Sequence, residues 1–152
     1  MKEALKQAKI ALVKGEVPVG AVVVYKNRIV GRGFNQMEML RDPTAHAEMI
    51  AMTQASETIA EGEQNHRGSL EGASLYVTLE PCPMCAGALV LTKCKNLIFG
   101  ALDSKMGASQ SLYHITQDDR LNHRLSVTGG VMATESRILL QEFFRGLRKE
   151  KR

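Results

Sequence analysis

The feature that most constrains the fold is a pair of short segments that carry metal-binding side chains and lie far apart in the chain. The first is an H-A-E triplet from His46 to Glu48, and the second is a P-C-x-x-C motif with thiols at Cys82 and Cys85. One imidazole and two thiolates form a zinc ligand set that leaves the fourth tetrahedral position open for water. Any fold of this chain must therefore bring the two segments together.

The spacing within the two segments predicts different roles for their side chains. Cys82 and Cys85 are three residues apart, so in the first turn of a helix they share a face and can bind one ion. His46 is the candidate third ligand. Because an i, i+2 pair does not share a helix face, we expect Glu48 to reach the zinc-bound water and carry protons. The motifs predict one catalytic zinc ion per chain.

The third cysteine, Cys94, leaves an alternative open. As a fourth ligand it would close the coordination sphere and make the zinc site structural. As a plain buried thiol it would leave the site open, which is the interpretation that we favour.

Length and composition predict a single domain over residues 1–152. The chain is 44% hydrophobic and 24% charged, and a chain of this length buries roughly 70% of its unfolded surface. No apolar stretch approaches the roughly 18 residues of a membrane span, and the first residues lack the apolar block of a signal peptide. We expect a cytoplasmic protein that does not associate with membranes.

The positive charge is concentrated at the end of the chain. The net charge is +4, and residues 141–152 hold five basic residues, among them Lys151 and Arg152, against two acidic ones. Such a tail can attract an anionic polymer such as RNA, and it is also typical of a solvated helix end. Charge alone does not decide between these two interpretations.

Hydrophobic periodicity predicts alternating helices and strands. Helices are predicted at 2–13, 43–56, 109–115 and 133–149 and in a segment after Pro83 that includes 86–91; strands at 20–25, 29–33, 73–79, 96–100 and 125–128; and loops at 34–43 and 57–72. The alternation predicts an α/β domain with helices on both faces of a mixed sheet. Both metal-binding segments fall at helix starts, where the helix dipole favours thiolates.

The H-x-E and P-C-x-x-C motifs resemble the signature of the zinc-dependent nucleobase deaminases. Nearly the whole chain resembles the bacterial tRNA-specific adenosine deaminases within that class. The similar segments begin at Pro18 (P-V-G-A), Gly33 (G-F-N), Pro43 (P-T-A-H-A-E-M), Leu75 (L-Y-V-T-L-E), Leu121 (L-N-H-R) and Phe143 (F-F-R). The last two segments favour the tRNA-acting branch.

The resemblance implies a fold, an activity and partners. The fold would be a cytidine deaminase-like three-layer αβα sandwich on a mixed five-stranded sheet, and the protein would be a homodimer. The activity would be hydrolytic deamination of adenosine to inosine at the wobble position of a tRNA, with a zinc-activated water and Glu48 as proton shuttle. The partner would be the anticodon stem-loop, whose loop bases can leave the stack at modest cost.

The resemblance also implies which residues contact the RNA. Asn35 would touch the target nucleoside, and the backbone of Val19 and Gly20 would line its pocket. The residues implied to hold flanking nucleotides are Asp103 and Lys105 in one loop, then His123, Phe144 and Arg148.

Two rival interpretations stay open. A deaminase of a free nucleobase or nucleoside, of guanine or cytosine type, would need the cluster but not the basic terminal helix. A non-catalytic zinc-stabilised RNA-binding module would use Cys94 as the closing ligand and would not need Glu48. The chain also departs from the resemblance at a longer 57–70 segment and at Met106, where a smaller residue is expected.

Overall fold

The computed structural model describes residues 1–150, so Lys151 and Arg152 of the basic tail lie outside the described residues. The strands are β1 (Gly20–Tyr25), β2 (Arg28–Phe34), β3 (Ser74–Leu79), β4 (Asn96–Ala101) and β5 (Ser126–Thr128). The helices are α1 (Lys2–Val13), α2 (Met37–Leu40), α3 (Ala47–Ala60), α4 (Pro83–Leu91) and α5 (Ala133–Glu150), with a 3₁₀ turn at Ile115–Gln117. None of the helices in the described part of the chain is both long and apolar enough to cross a membrane.

The five strands form one mixed sheet in the order β2-β1-β3-β4-β5. β1 is antiparallel to β2 and β3, with Ala21 opposite Val77, whereas β3, β4 and β5 are parallel, with Val77 opposite Phe99. The amino end of β1 therefore lies at the same sheet edge as the carboxyl ends of β3 and β4. The predicted mixed five-stranded sheet is confirmed.

Helices cover both faces of the sheet, as predicted. α3 packs so closely on β2 that a Cβ added at Gly31 would lie 2.1 Å from the Ala51 carbonyl oxygen. On the other face, Leu5 and Ala8 of α1 pack against Leu139 of α5. These contacts form the three-layer αβα sandwich.

The main core lies between the sheet and the α3–α4 layer. Leu75, Val77, Leu97 and Phe99 of the two central strands are fully buried there. Each such side chain contributes about 1.5–3 kcal/mol relative to an exposed position. The two central strands therefore give a rigid base to the loops that leave their carboxyl ends.

The predicted helix start at Pro43 is wrong, because α3 begins at Ala47. The Asp42 carboxylate accepts hydrogen bonds from the amide and hydroxyl of Thr44, and the Ala45 amide donates back to the Asp42 carbonyl. This local turn closes on itself and does not propagate as a helix. It places His46 in extended conformation immediately before α3.

Three other predicted segments also differ from the structure. The predicted loop 34–43 contains the short helix α2, which ends at Arg41 with a left-handed φ of 50°. The predicted loop 57–72 begins later, because α3 continues to Ala60. The predicted helix 109–115 is absent: the amides of Ser109 and its two successors donate to the carboxylate of Glu80, which directly follows β3, rather than to helical carbonyls.

Candidate active site

Two helix starts meet at the edge formed by the carboxyl end of β3. His46 immediately precedes α3 and Cys82 immediately precedes α4, both in extended conformation. Pro83 occupies the first turn of α4, where its missing amide costs nothing because that amide would have no helical partner. The positive ends of both helix dipoles therefore point toward the same small region.

The structure brings three potential ligand atoms together in that region. His46 Nδ1 lies 3.6 Å from the Sγ atoms of both Cys82 and Cys85, and all three atoms lie within 4.8 Å of one another. Tetrahedral zinc with bonds of about 2.3 Å to sulfur and about 2.0 Å to nitrogen holds its ligand atoms about 3.5 Å apart. The donor set and its spacing fit one zinc ion.

The thiols of Cys82 and Cys85 shift each other's pKa in opposite directions. The hydrogen bond from Cys85 lowers the pKa of Cys82 to about 4, with a further contribution from His46. The same contact with Cys82, together with burial, raises the pKa of the Cys85 thiol. The hydrogen bond with Cys82 also raises the pKa of His46. A cation bound by this group would hold both cysteines as thiolates.

Glu48 lies beside this group, in the first turn of α3. Its side chain is 4% exposed, and burial raises its pKa to about 7. A carboxyl group whose pKa is close to neutral can both accept and return a proton under ordinary conditions. Its position and protonation behaviour suit proton transfer.

A cavity of about 230 Å³ opens directly above His46 and Glu48. Its wall is mostly apolar, with a few polar groups that converge on it, which is typical of small-molecule sites. The lining residues are Val17, Val19, Asn35, Met37, His46, Ala47, Glu48, Leu79, Glu80, Cys82, Asp103 and Met106.

Asn35 is held in the wall of this cavity by its neighbours. Its backbone amide donates to the Val19 carbonyl, and its side-chain amide donates to Glu16 at 3.5 Å. Glu16 is 1% exposed and also accepts the Met39 amide at 2.7 Å. The sequence reasoning did not select Glu16, although an acidic residue beside the apolar run at Val17 to Val19 is a usable signal.

Gly20 lies one residue further along β1 and faces away from the cavity. Its amide donates to the Thr78 hydroxyl at 3.1 Å, and a Cβ at this position would lie 2.1 Å from the Ala4 carbonyl oxygen of α1. Its place in the structure is thus the contact between β1 and α1.

The loop that follows β4 borders two different sites. Asp103 and Met106 line the cavity, whereas Lys105 lies in a separate groove with Phe144 and Arg148 of α5. We call this second site the outer groove. The structure therefore brings together three of the residues that the resemblance assigned to flanking nucleotides.

His123 and Cys94 lie at the opposite edge of the sheet from the cavity. His123 Nε2 is 2.6 Å from the Cys94 carbonyl oxygen, close to the amino end of β4. Cys94 is fully buried, its thiol donates to the Ala73 carbonyl, and burial raises its pKa to about 11. Cys94 does not belong to the ligand group of His46 and the two other cysteines.

Glu80 is a second buried acid that the sequence reasoning did not select. It follows β3 directly and is 1% exposed. Burial alone would raise the pKa of Glu80, but hydrogen bonds from Gln110, Ser111 and Asp103 outweigh burial and hold the pKa below its ordinary value. An acidic residue immediately after a buried strand was the available signal.

A group of three zinc ligands beside a buried glutamate, at the base of a cavity, is typical of hydrolytic zinc enzymes that keep one coordination position for water. The sequence comparison makes the class specific: the chain belongs to the family described as the cytidine and deoxycytidylate deaminase zinc-binding region, whose family model matches residues 1–101. Zinc-dependent hydrolytic deamination is accordingly the chemistry of this site.

The chain is similar to tRNA-specific adenosine deaminases over its full length. It is 47% identical to that of Bacillus subtilis, covering 100% of this chain and 91% of the relative. It is also 47% identical to that of Haemophilus influenzae, covering 100% and 85%. A structure solved in studies of A-to-I editing by tRNA:A34 deaminases superposes with a TM-score of 0.83 at 39% identity, covering 92% of this chain and 97% of that one.

Proposed function

We propose that this chain deaminates adenosine to inosine at the wobble position of a tRNA anticodon. The observation that carries the proposal is the three-ligand group with Glu48 at the base of a cavity whose bordering loop also borders the outer groove. Full-length similarity to tRNA-specific adenosine deaminases supports it. The reaction consumes water and releases ammonia.

In the proposal, His46, Cys82 and Cys85 hold one zinc ion per chain. When bound, the ion supplies a Lewis acid that lowers the pKa of a bound water. Glu48 moves two protons: its carboxylate takes the first from the water and delivers it to a ring nitrogen, then takes the second from the hydroxyl added to the ring carbon and delivers it to the departing amine. Burial raises the pKa of this carboxyl, which favours the uptake of a proton before its delivery to the substrate.

The cavity would hold the adenine base. The Asn35 side chain supplies a polar group fixed by Glu16, and Val19 supplies apolar wall and backbone. The mostly apolar wall gives the base a surface to pack against, and its few polar groups can orient the base. The backbone of Gly20 does not line the cavity, and it would contribute by holding Val19 in place.

The outer groove would hold the nucleotides that flank the target. Phe144 is 45% exposed, and an exposed aromatic ring offers a base a surface for stacking worth about 1–3 kcal/mol. Lys105 and Arg148 add two cations for phosphates. Asp103, at the cavity border, would contact the nucleotide next to the target.

The remaining features of the proposal concern organisation. They are a single domain over residues 1–152, a homodimer, a cytoplasmic location and recognition of the anticodon stem-loop. The prediction that His123 holds a flanking nucleotide stays a prediction.

The test is incubation of the purified, zinc-loaded protein with an anticodon stem-loop that carries adenosine at the wobble position. Inosine is measured by mass spectrometry of the digested RNA, with and without a chelator. Free adenosine, cytidine and guanine are run in parallel, and a stem-loop with guanosine at the wobble position is the matched control. Conversion of only the free compounds would contradict the proposal.

A further inference from the structure

Glu80 connects the metal-binding segment to the loop that borders the cavity. It lies two residues before Cys82, and its own amide donates to the Ala101 carbonyl at the end of β4. The chain that leaves β4 then turns back over Glu80 from residue 103 to residue 111. We call this segment the 103–111 loop.

Both ends of the 103–111 loop are hydrogen-bonded to the Glu80 carboxylate. Oε1 accepts the Asp103 amide at 3.1 Å and the Ser111 hydroxyl. Oε2 accepts three successive amides, those of Ser109 at 3.1 Å, Gln110 at 2.8 Å and Ser111 at 2.9 Å. Successive amides that converge in this way form a concave anion site, which the buried carboxylate fills.

The middle of the loop packs directly on the same carboxylate. A Cβ added at Gly107 would lie 2.4 Å from Glu80 Cδ and 2.5 Å from the Asp103 carbonyl oxygen. The loop therefore approaches Glu80 more closely than any residue with a side chain would permit. The contact is specific to this pairing of a glycine and a carboxylate.

The five donors leave Glu80 without capacity for a substrate. A carboxylate has about four lone-pair sites, and within residues 1–150 the hydrogen-bond donors to Glu80 all come from the 103–111 loop. Glu80 therefore differs from Glu48, whose carboxyl is free to exchange protons. A role in proton transfer is ruled out by this saturation.

We propose that Glu80 is a positioning residue, which sets the 103–111 loop so that Asp103 and Met106 form the cavity wall and Lys105 reaches the outer groove. The proposal rests on the proposed function for its substrate. It implies that the position of the 103–111 loop relative to the metal-binding segment depends on one buried side chain.

The first test is Glu80→Gln, which keeps the shape but replaces one acceptor oxygen by an NH₂ donor that faces amide donors. We expect kcat/KM for the stem-loop to fall by about tenfold or more, as for the loss of one charge-assisted hydrogen bond. The loss should lie mainly in KM, because Glu48 and the ligands keep their places. Zinc content should remain one ion per chain.

A second variant, Gly107→Ala, displaces the same loop without changing Glu80. It should raise KM in the same way and also keep zinc. Leu70→Ala is the control for stability: Leu70 is fully buried in the main core and does not line the cavity. It should lower the melting temperature without raising KM.

Amide hydrogen exchange measures the protection of the loop amides directly, without any activity assay. In Glu80→Gln, the amides of Ser109 to Ser111 should lose protection while those of β3 and β4 keep it. An unchanged KM and unchanged protection in both loop variants would overturn the proposal, as would loss of zinc from Glu80→Gln. If the wild type formed no inosine, the proposed function would fail. Hydrogen exchange in the zinc-loaded Glu80→Gln variant would still decide whether Glu80 positions the loop.

Discussion

The ligand group and the outer groove border the same loop but are built in opposite ways. Cys85 is fully buried and Glu48 is 4% exposed, and both belong to first helical turns that face the sheet edge. In the outer groove, Phe144 is 45% exposed, and Arg148 is an exposed side chain near the end of α5. The first region is fixed by the fold, and the second is open to solvent.

This difference in burial separates the residues that catalyse the reaction from those that select the substrate. Buried groups with shifted pKa values perform chemistry, because their protonation is set by the protein rather than by water. Exposed cations and an aromatic ring recognise a polymer, and their contribution depends on salt. Changes in the ligand group should therefore alter rate, and changes in the outer groove should alter affinity.

The largest expected effect comes from Glu48→Gln. The amide keeps the size of the side chain but cannot carry protons, so kcat should fall by about 10²–10⁴-fold. Zinc should remain at one ion per chain, because the carboxyl is not a ligand in the proposal. Single-turnover inosine formation and metal analysis of the same preparation check both statements.

The matched control is His46→Ala, which should lose the zinc ion as well as the activity. If Glu48→Gln lost its zinc to the same extent, the assignment of Glu48 as a proton carrier would be wrong.

The second-largest expected effect is on the pH dependence of the stability of the metal-free protein. Burial raises the pKa of Glu48 from an ordinary 4.5 to about 7. Between these values the native state holds a proton at Glu48 that the unfolded chain has released, so the contribution of Glu48 to stability falls as pH rises, whereas the lowered pKa of Cys82 contributes a slope of the opposite sign. The loss should reach at most about 3 kcal/mol by pH 7. Urea unfolding at pH 5 and pH 7.5 measures it.

Glu48→Gln should remove the contribution of Glu48, so the free energy of unfolding of the metal-free variant should increase with pH relative to that of the wild type, whereas Arg148→Ala should follow the wild type. Equal slopes in the metal-free wild type and in Glu48→Gln would show that the burial of Glu48 does not control the pH dependence.

A smaller effect is expected from the outer groove. Arg148→Ala should raise KM for the stem-loop several-fold and leave kcat nearly unchanged. It should also reduce the slope of log affinity against log salt by about 0.7–0.9, the value for one phosphate contact. Binding titrations at several salt concentrations check this prediction.

Lys149→Ala provides the matched control, because it removes the same charge from the next position of α5 and does not line the outer groove. Equal effects of the two variants would mean that the charge of the tail matters and the groove does not.

Local patterns predicted the ligand group and most of the elements. The spacing of Cys82 and Cys85, and the position of both motifs at helix starts, depend on neighbouring residues only. The strands needed no long-range information, because their apolar runs are bounded by turn residues. The three-layer sandwich on a mixed five-stranded sheet followed from the resemblance, and the match to a solved deaminase structure supports it.

The parts that local patterns did not predict depend on contacts between distant residues. The predicted helix at 109–115 fails because its first amides donate to Glu80, about 30 positions earlier in the chain. Glu16 fixes Asn35 across 19 positions. Pro43 fails as a helix start for a different reason, since Asp42 forms a local turn with Thr44 and Ala45 that periodicity does not distinguish from a first helical turn.

The smallest expected effect comes from Cys94→Ala, at the edge of the sheet opposite the ligand group. The Cys94 thiol donates to the Ala73 carbonyl and is fully buried, so its removal should cost about 1 kcal/mol of stability through a small cavity and one weak hydrogen bond. Zinc content and kcat should equal those of the wild type. Metal analysis and a urea titration measure the two quantities, and Cys82→Ala, which should lose zinc, is the comparison. A drop in zinc content in Cys94→Ala would show that Cys94 is a fourth ligand and that the site is a closed structural centre. The contrast between a buried catalytic site and an exposed recognition surface would then no longer hold.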